Sequence, residues 1–164
     1  MLENPAFNTV NNEIIDLDLS VTKKKKLRFD KDDSRVVEVN TSDMNLMQRV
    51  NVAYPKLQAL QEKAGKLTEG IVIDEESALE GIATMAERLH AVDTEMRELI
   101  DYMFDAPVSK AAAPDGSMYD PFGGSFRYEH IIAVLMKQYE DNLQSEFAQM
   151  EKQLKRHTDK YTRR

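Results

Sequence analysis

The chain has 164 residues, of which 41% are hydrophobic and 31% charged, and its formal net charge is −7. This length suits one domain with a buried core, and the absence of cysteine excludes a disulfide framework and a thiolate metal site. The first residues show no signal-peptide pattern, and no apolar run approaches the roughly 18 residues of a membrane span. We therefore expect a cytoplasmic protein without a membrane partner.

The charge is unevenly distributed along the chain. Residues 151–164 hold six cationic and two anionic side chains and so carry +4, which leaves −11 for residues 1–150. An acidic body repels phosphates and argues against nucleic-acid binding. The basic end has two interpretations: cations that stabilise a helix C-terminus, or a docking surface for an acidic or nucleic-acid partner.

Residues 1–40 carry strand signals. Ile15, Leu17, Leu19 and Val21 alternate with polar residues, and a similar alternation returns near Leu27 and around residues 35–39. The lysines at residues 23–26 are interpreted as a solvated turn or edge guard, and residues 31–34 as a second turn. The pattern predicts an N-terminal three-stranded antiparallel meander at residues 1–40, which must pack on helices to be stable.

Residues 41–164 predict a helical region that forms one combined domain with the meander. A first helix begins near Asp43, is kinked rather than divided at Pro55, and ends at Gly65. A second helix is capped by Asp74 and ends before Pro107. Residues 105–124 are predicted as one long loop. Its aromatic residues, with Phe126 beyond it, either pin the loop to the next helix or form a docking site.

The last forty residues predict one long amphipathic helix capped by Ser125. Its apolar stripe is Tyr128, Ile131, Ile132, Leu135, Met136, Tyr139, Leu143, Phe147, Met150, Leu154 and Tyr161. Some 35 helical residues would span about 50 Å, more than a domain of this size usually needs. The far half should therefore cross the whole domain or pack on another chain. The predicted partner-binding residues are Tyr139, Leu143, Phe147, Met150, Leu154 and Tyr161.

The fold class expected from these elements is α+β, mainly α: the meander packs on about three helices, the last being the longest. Nine methionines, most in predicted helices, are open to two interpretations. They either fill the core or form an adaptable groove for a helix of another protein.

No catalytic or metal-binding motif is apparent. His90, His130 and His157 each lie in a predicted helix with no serine nucleophile beside them. The aspartates at residues 30–33 do not form a calcium loop, because Arg35 and Thr41 occupy its sixth and twelfth positions. We expect a protein that is not an enzyme, with no catalytic residues, cofactor or metal.

Three segments together resemble the tail assembly chaperones of long-tailed (siphovirus-type) phages or prophages of Gram-positive bacteria. They are the strand-like opening at residues 13–19, the segment 120–129 with its Pro-Phe-Gly-Gly sequence, and the basic ending at residues 155–164, around an acidic helical middle. The resemblance implies phage tail morphogenesis in the host bacterial cytoplasm. It implies binding to the long tape measure protein, whose apolar helices are kept from aggregating until the tail tube forms. It implies no cofactor and no enzymatic step, and self-association of many copies along one client would add avidity.

Two other functions remain open. The chain could be a structural tail or head–tail joining subunit retained in the virion, with the long helix making contacts within a ring. It could also be a nucleic-acid-binding accessory factor that uses the basic end, although the acidic body argues against this.

Overall fold

The structure is a computed structural model that describes residues 24–72 and 74–162, except for the side chains of residues 157 and 159–162. The chain is mainly helical with a small antiparallel part, as the sequence predicts. The elements in chain order are β1 (Lys24–Arg28), β2 (Val36–Asn40), α1 (Leu46–Gly65), α2 (Ala78–Phe104), α3 (Val108–Ala112), β3 (Pro121–Phe122), β4 (Ser125–Phe126) and α4 (Arg127–Thr162).

The strands differ from the predicted three-stranded meander. The described residues form two separate two-stranded sheets, β1 with β2 and β3 with β4, and the strand predicted at residues 15–21 lies outside them. The lysines at 24–26 form part of β1 rather than a turn, because they pair in register with β2. Lys26 lies opposite Glu38 and their charged groups are 3.6 Å apart, which favours this pairing.

The predicted turn between these strands is present. Asp30 and Lys31 adopt left-handed backbone conformations, with φ of 51° and 59°. Asp32 Oδ1 accepts hydrogen bonds from the Ser34 backbone N–H at 2.9 Å and from Ser34 Oγ at 2.7 Å. An Asx-type turn of this kind reverses the chain over few residues.

Helices α1 and α2 form an antiparallel pair. Arg49 Nε donates to the Met103 carbonyl at 2.9 Å at one end, and Lys63 pairs with Glu95 at 2.9 Å towards the other. Helix α1 continues through the exposed Pro55 as one helix, so the chain is not divided there. It begins at Leu46 rather than near Asp43.

Helix α2 also begins later than predicted, at Ala78. Asp74 does not cap the helix itself. Its Oδ1 accepts hydrogen bonds from the Ser77 and Glu76 backbone N–H groups and stabilises the turn that leads into α2.

The segment at residues 105–124, predicted as one long loop, contains α3 and β3. Asp101 on α2 stabilises the start of α3. Its carboxylate accepts hydrogen bonds from the Ser109 backbone N–H at 2.7 Å and from Ser109 Oγ at 2.9 Å. Arg35 holds the other end of α3 by donating to the carbonyls of Ala111 and Ala112. These partners come from distant elements, so local sequence does not reveal the short helix.

A second network fastens this segment to α2. Asp93 Oδ1 accepts hydrogen bonds from Ser117 Oγ at 2.8 Å and the Met118 backbone N–H at 2.5 Å. Its other oxygen accepts from Arg97 Nε at 2.7 Å, and Arg97 in turn donates to the carbonyls of Ser109, Ala113 and Gly116. Burial alone would raise the pKa of Asp93, but these hydrogen bonds outweigh it and lower the pKa.

Ring contacts connect the aromatic residues of this segment with the start of α4, although Phe122 and Phe126 are also exposed to solvent. Tyr119 is buried, and its ring meets those of Phe126 and Tyr128 edge-on at 5.9 and 5.4 Å. The ring centroids of Phe122 and His130 are 4.8 Å apart. Ser125 lies in β4 instead of capping α4, whose first turn is stabilised by Glu129 accepting the Phe126 backbone N–H at 2.9 Å.

The main core lies where α1, α2, α3 and the first half of α4 meet. Its largest fully buried side chains include Leu46, Met96, Ile100, Phe104, Met118, Tyr128, Leu135 and Tyr139. None of the helices in the described part of the chain combines the length and the apolar character needed to span a membrane.

Candidate protein-binding surface

Helix α4 changes its surroundings half-way along its length. Its first half contributes Tyr128, Ile131, Leu135 and Tyr139 to the core, and all four are buried. These residues recur three or four apart, so one face of the helix packs continuously on the body. The far half of α4 continues the same apolar stripe, but there the described part of the body does not pack against it.

Two polar contacts hold α4 where the cover ends. Asn142 Nδ2 donates to the Thr41 carbonyl at 3.3 Å, and Ser42 Oγ donates to Glu146 at 2.5 Å. Thr41 and Ser42 belong to the connection between β2 and α1. These bonds fix the direction in which α4 leaves the body.

Beyond Glu146, every side chain from residue 147 to residue 156 is exposed. Phe147, Met150 and Leu154, which we call the distal stripe, have exposed fractions of 55%, 56% and 66%. The 16 helical residues from 147 to 162 extend over about 24 Å. Three large apolar side chains on one helical face, exposed together, are typical of an interaction surface.

A groove of about 710 Å³ connects the distal stripe with the body. It lies between the start of α1, at Leu46 and Met47, and the face of α4 that carries Met136, Leu143 and Phe147. Met47 is 57% exposed, so the wall of the groove that α1 provides is open to solvent. The groove and the distal stripe share Phe147 and together form one surface.

The structure separates the six predicted partner-binding residues into four groups. Tyr139 is buried against Phe104, with ring centroids 5.8 Å apart, and forms the floor of the groove rather than an exposed contact. Leu143 is half-buried in the groove, and Phe147, Met150 and Leu154 are exposed. The backbone of Tyr161 lies in α4, and its side chain lies outside the described residues.

The polar rim of the groove is mainly acidic. Glu140, Asp141 and Gln144 line it together with one cation, Lys137. Near its floor, burial raises the pKa of Tyr139 above that of a free tyrosine, so the phenol is neutral. The surface therefore offers apolar contacts bordered by carboxylates, a combination that suits protein binding.

The methionines divide between the two interpretations of the sequence. Met96, Met103 and Met118 fill the core, whereas Met47 and Met150 are exposed on this surface. Prediction of the site from the stripe of α4 alone misses Met47. The periodicity of α1 does not predict that Met47 is exposed on a binding surface, because the adjacent Leu46 is buried in the core.

Comparison with protein-family models, curated proteins and solved structures found no match to the chain. Within the described ranges, no three His, Asp or Glu side chains are grouped as they would be to hold a metal ion. Among the described residues, the exposed distal stripe and the adjoining groove make the surface formed by α1 and α4 the candidate site.

Proposed function

We propose that this protein is a phage tail assembly chaperone that binds helical segments of the tape measure protein before the tail tube forms. The observation that carries the proposal is the exposed distal stripe, continuous with the groove beside Met47. Within the described residues, packing of the core does not account for the apolar side chains of the distal stripe, because α4 extends beyond that core.

The shape of the surface suits an amphipathic helix as ligand. Helix-in-groove recognition uses apolar anchors about one turn apart, and Leu143, Phe147, Met150 and Leu154 offer this spacing. The unbranched side chains of Met47 and Met150 adapt to ligands of different shape. Such tolerance is useful for a chaperone whose client presents many similar but unequal helices.

The negative charge of residues 1–150 also fits a chaperone role. Residues 1–150 carry −11, and mutual repulsion of these bodies opposes non-specific aggregation of molecules with exposed apolar surface. In this proposal the chain acts in the cytoplasm of the host bacterium, where the client is synthesised, and uses neither a cofactor nor a catalytic residue.

The alternative is a structural tail or head–tail joining subunit. The same projecting helix would then make permanent contacts within a ring, and the chain would be found in purified virions in fixed proportion to the tube protein. A chaperone would be present during assembly and absent from finished particles. Quantitative mass spectrometry of purified particles separates the two.

Binding itself can be tested with a matched pair of variants on α1. Met47 lines the groove, and its exposed neighbour Gln48 does not. We expect Met47→Glu to weaken binding of tape measure segments by about tenfold or more, as loss of an interface anchor does, and Gln48→Glu to leave it nearly unchanged. Titration calorimetry with the purified segments gives both affinities. Equal affinities for the two variants would contradict binding in the groove.

A further inference from the structure

The apolar residues in the far half of α4 follow the spacing of a coiled coil. Leu143, Phe147, Met150, Leu154 and Tyr161 occupy such positions, and His157 occupies the one between Leu154 and Tyr161, so that the six are separated alternately by four and three residues. This is the heptad pattern that lets two helices pack side by side. Closer to the body, positions 139, 143 and 147 are separated by four residues each time, which breaks the alternation of four and three. The coiled-coil spacing therefore begins at position 143, where α4 leaves its own core.

The charges along this helix favour one orientation of a pair. Residues 140–146 hold three anions and no cation, whereas residues 151–164 carry +4. Two parallel copies would set the basic ends against each other and the acidic stretches against each other. Two antiparallel copies bring the basic end of each helix against the acidic stretch of its partner.

The heptad positions favour one register, because a crossing at Lys152 gives each of the six a partner position on the other copy. When two antiparallel helices cross at Lys152, Met150 of one copy lies opposite Leu154 of the other, and Phe147 lies opposite position 157. The seam from position 143 to position 161 is then about 27 Å long. Its ends bring the last turn of each helix to Leu143 of the other copy, at the edge of the groove.

We propose that two copies of this chain associate through the far halves of their α4 helices, antiparallel and centred near Lys152. The pairing buries the distal stripe of both molecules, which the described residues of a single copy leave exposed. The client helix proposed above would occupy the same stripe, so the client-bound state contains an opened dimer. The dimer itself does not depend on the proposed client.

The oligomeric state of the purified chain, without any client, tests the association. We expect light scattering and sedimentation velocity to show a concentration-dependent dimer for the unmodified chain. Met150→Glu with Leu154→Glu should give a monomer with unchanged circular dichroism. The matched control, Ala148→Glu with Gln149→Glu, adds the same charge away from the stripe and should leave the dimer intact.

The orientation can be measured because the chain has no cysteine. Ser145→Cys places a spin label on the exposed side of α4. In the antiparallel pair, residue 145 of one copy lies beside residue 159 of the other, so the two labels are separated by about 21 Å along the helix axis. In a parallel pair they lie side by side.

Charge exchange provides a second test of orientation. Lys160→Glu with Arg163→Glu should weaken the dimer severalfold at low salt, and adding Glu140→Lys with Asp141→Lys should restore it. Restoration requires that these two regions meet. A chain that is monomeric at all accessible concentrations, a dimer unaffected by the stripe variant, or labels that lie side by side would each overturn the proposal. None of these results would bear on whether the client binds.

Discussion

Ser42 donates a hydrogen bond to Glu146 across 104 positions of the sequence, with 2.5 Å between the two oxygens. The bond joins the connection before α1 to the middle of α4. On one side of it the apolar residues of α4 are core, and on the other side they are exposed. A single helical stripe therefore has two roles, stabilising the fold and offering a binding surface, and the boundary lies near this contact.

The two halves of the stripe should respond differently to the same substitution. Leu135 is buried and Leu154 is exposed, on one helix and with the same side chain. We expect Leu135→Ala to lower the free energy of unfolding by about 2–5 kcal/mol, because it leaves a cavity in the core. Leu154→Ala should change it by less than about 0.5 kcal/mol. Urea denaturation measures both, and a large loss for Leu154→Ala would show that the distal stripe is covered within the single chain.

The Asp93 network predicts a pH dependence of stability. The pKa of Asp93 is lowered in the folded state, so its contribution is present above the unfolded value near 4 and is lost as the pH falls through the folded value. Asp93→Asn should therefore cost about 1–3 kcal/mol at pH 7, and the difference from the unmodified chain should shrink below about pH 4. Unfolding curves across this range test the prediction. Glu98→Gln, which alters an exposed carboxylate on the same helix, serves as the control and should have little effect at either pH.

Two buried tyrosines offer a matched comparison of hydroxyl groups. Tyr139 has no hydrogen-bond partner for its hydroxyl among the described residues, whereas the Tyr128 hydroxyl accepts a bond from Gln61 Nε2 at 3.0 Å. Tyr139→Phe should leave stability unchanged or raise it by up to about 1 kcal/mol, because an unpaired polar group leaves the core. Tyr128→Phe should lower it by about 1 kcal/mol. If Tyr139→Phe proves the more costly of the two, the Tyr139 hydroxyl is bonded in solution.

The sequence predicted what depends on local periodicity. The long last helix, expected from its stripe and from the absence of glycine and proline, spans Arg127–Thr162. The turn at residues 31–34 and the continuation of one helix through Pro55 were predicted from residues within a few positions of each other. Such features are decided by neighbouring residues, and the sequence shows them directly.

What the sequence missed depends on distant partners. The lysines at 24–26 form a strand because β2 lies beside them, and α3 forms because Asp101 and Arg35 hold its two ends. The candidate site shows the same limit. Periodicity placed Tyr139 and Phe147 in one stripe, but Tyr139 is buried because it packs against Phe104 of α2, whereas Phe147 is exposed.

Co-expression with the tape measure protein tests the central claim most directly. The claim is that the distal stripe keeps this client soluble by binding its helices. The client should aggregate alone, remain soluble and co-purify with the unmodified chain or the Ala148→Glu, Gln149→Glu control, and aggregate again with the Met150→Glu, Leu154→Glu variant. A client that stays insoluble with the unmodified chain, or stays soluble and bound with the stripe variant, would contradict the claim.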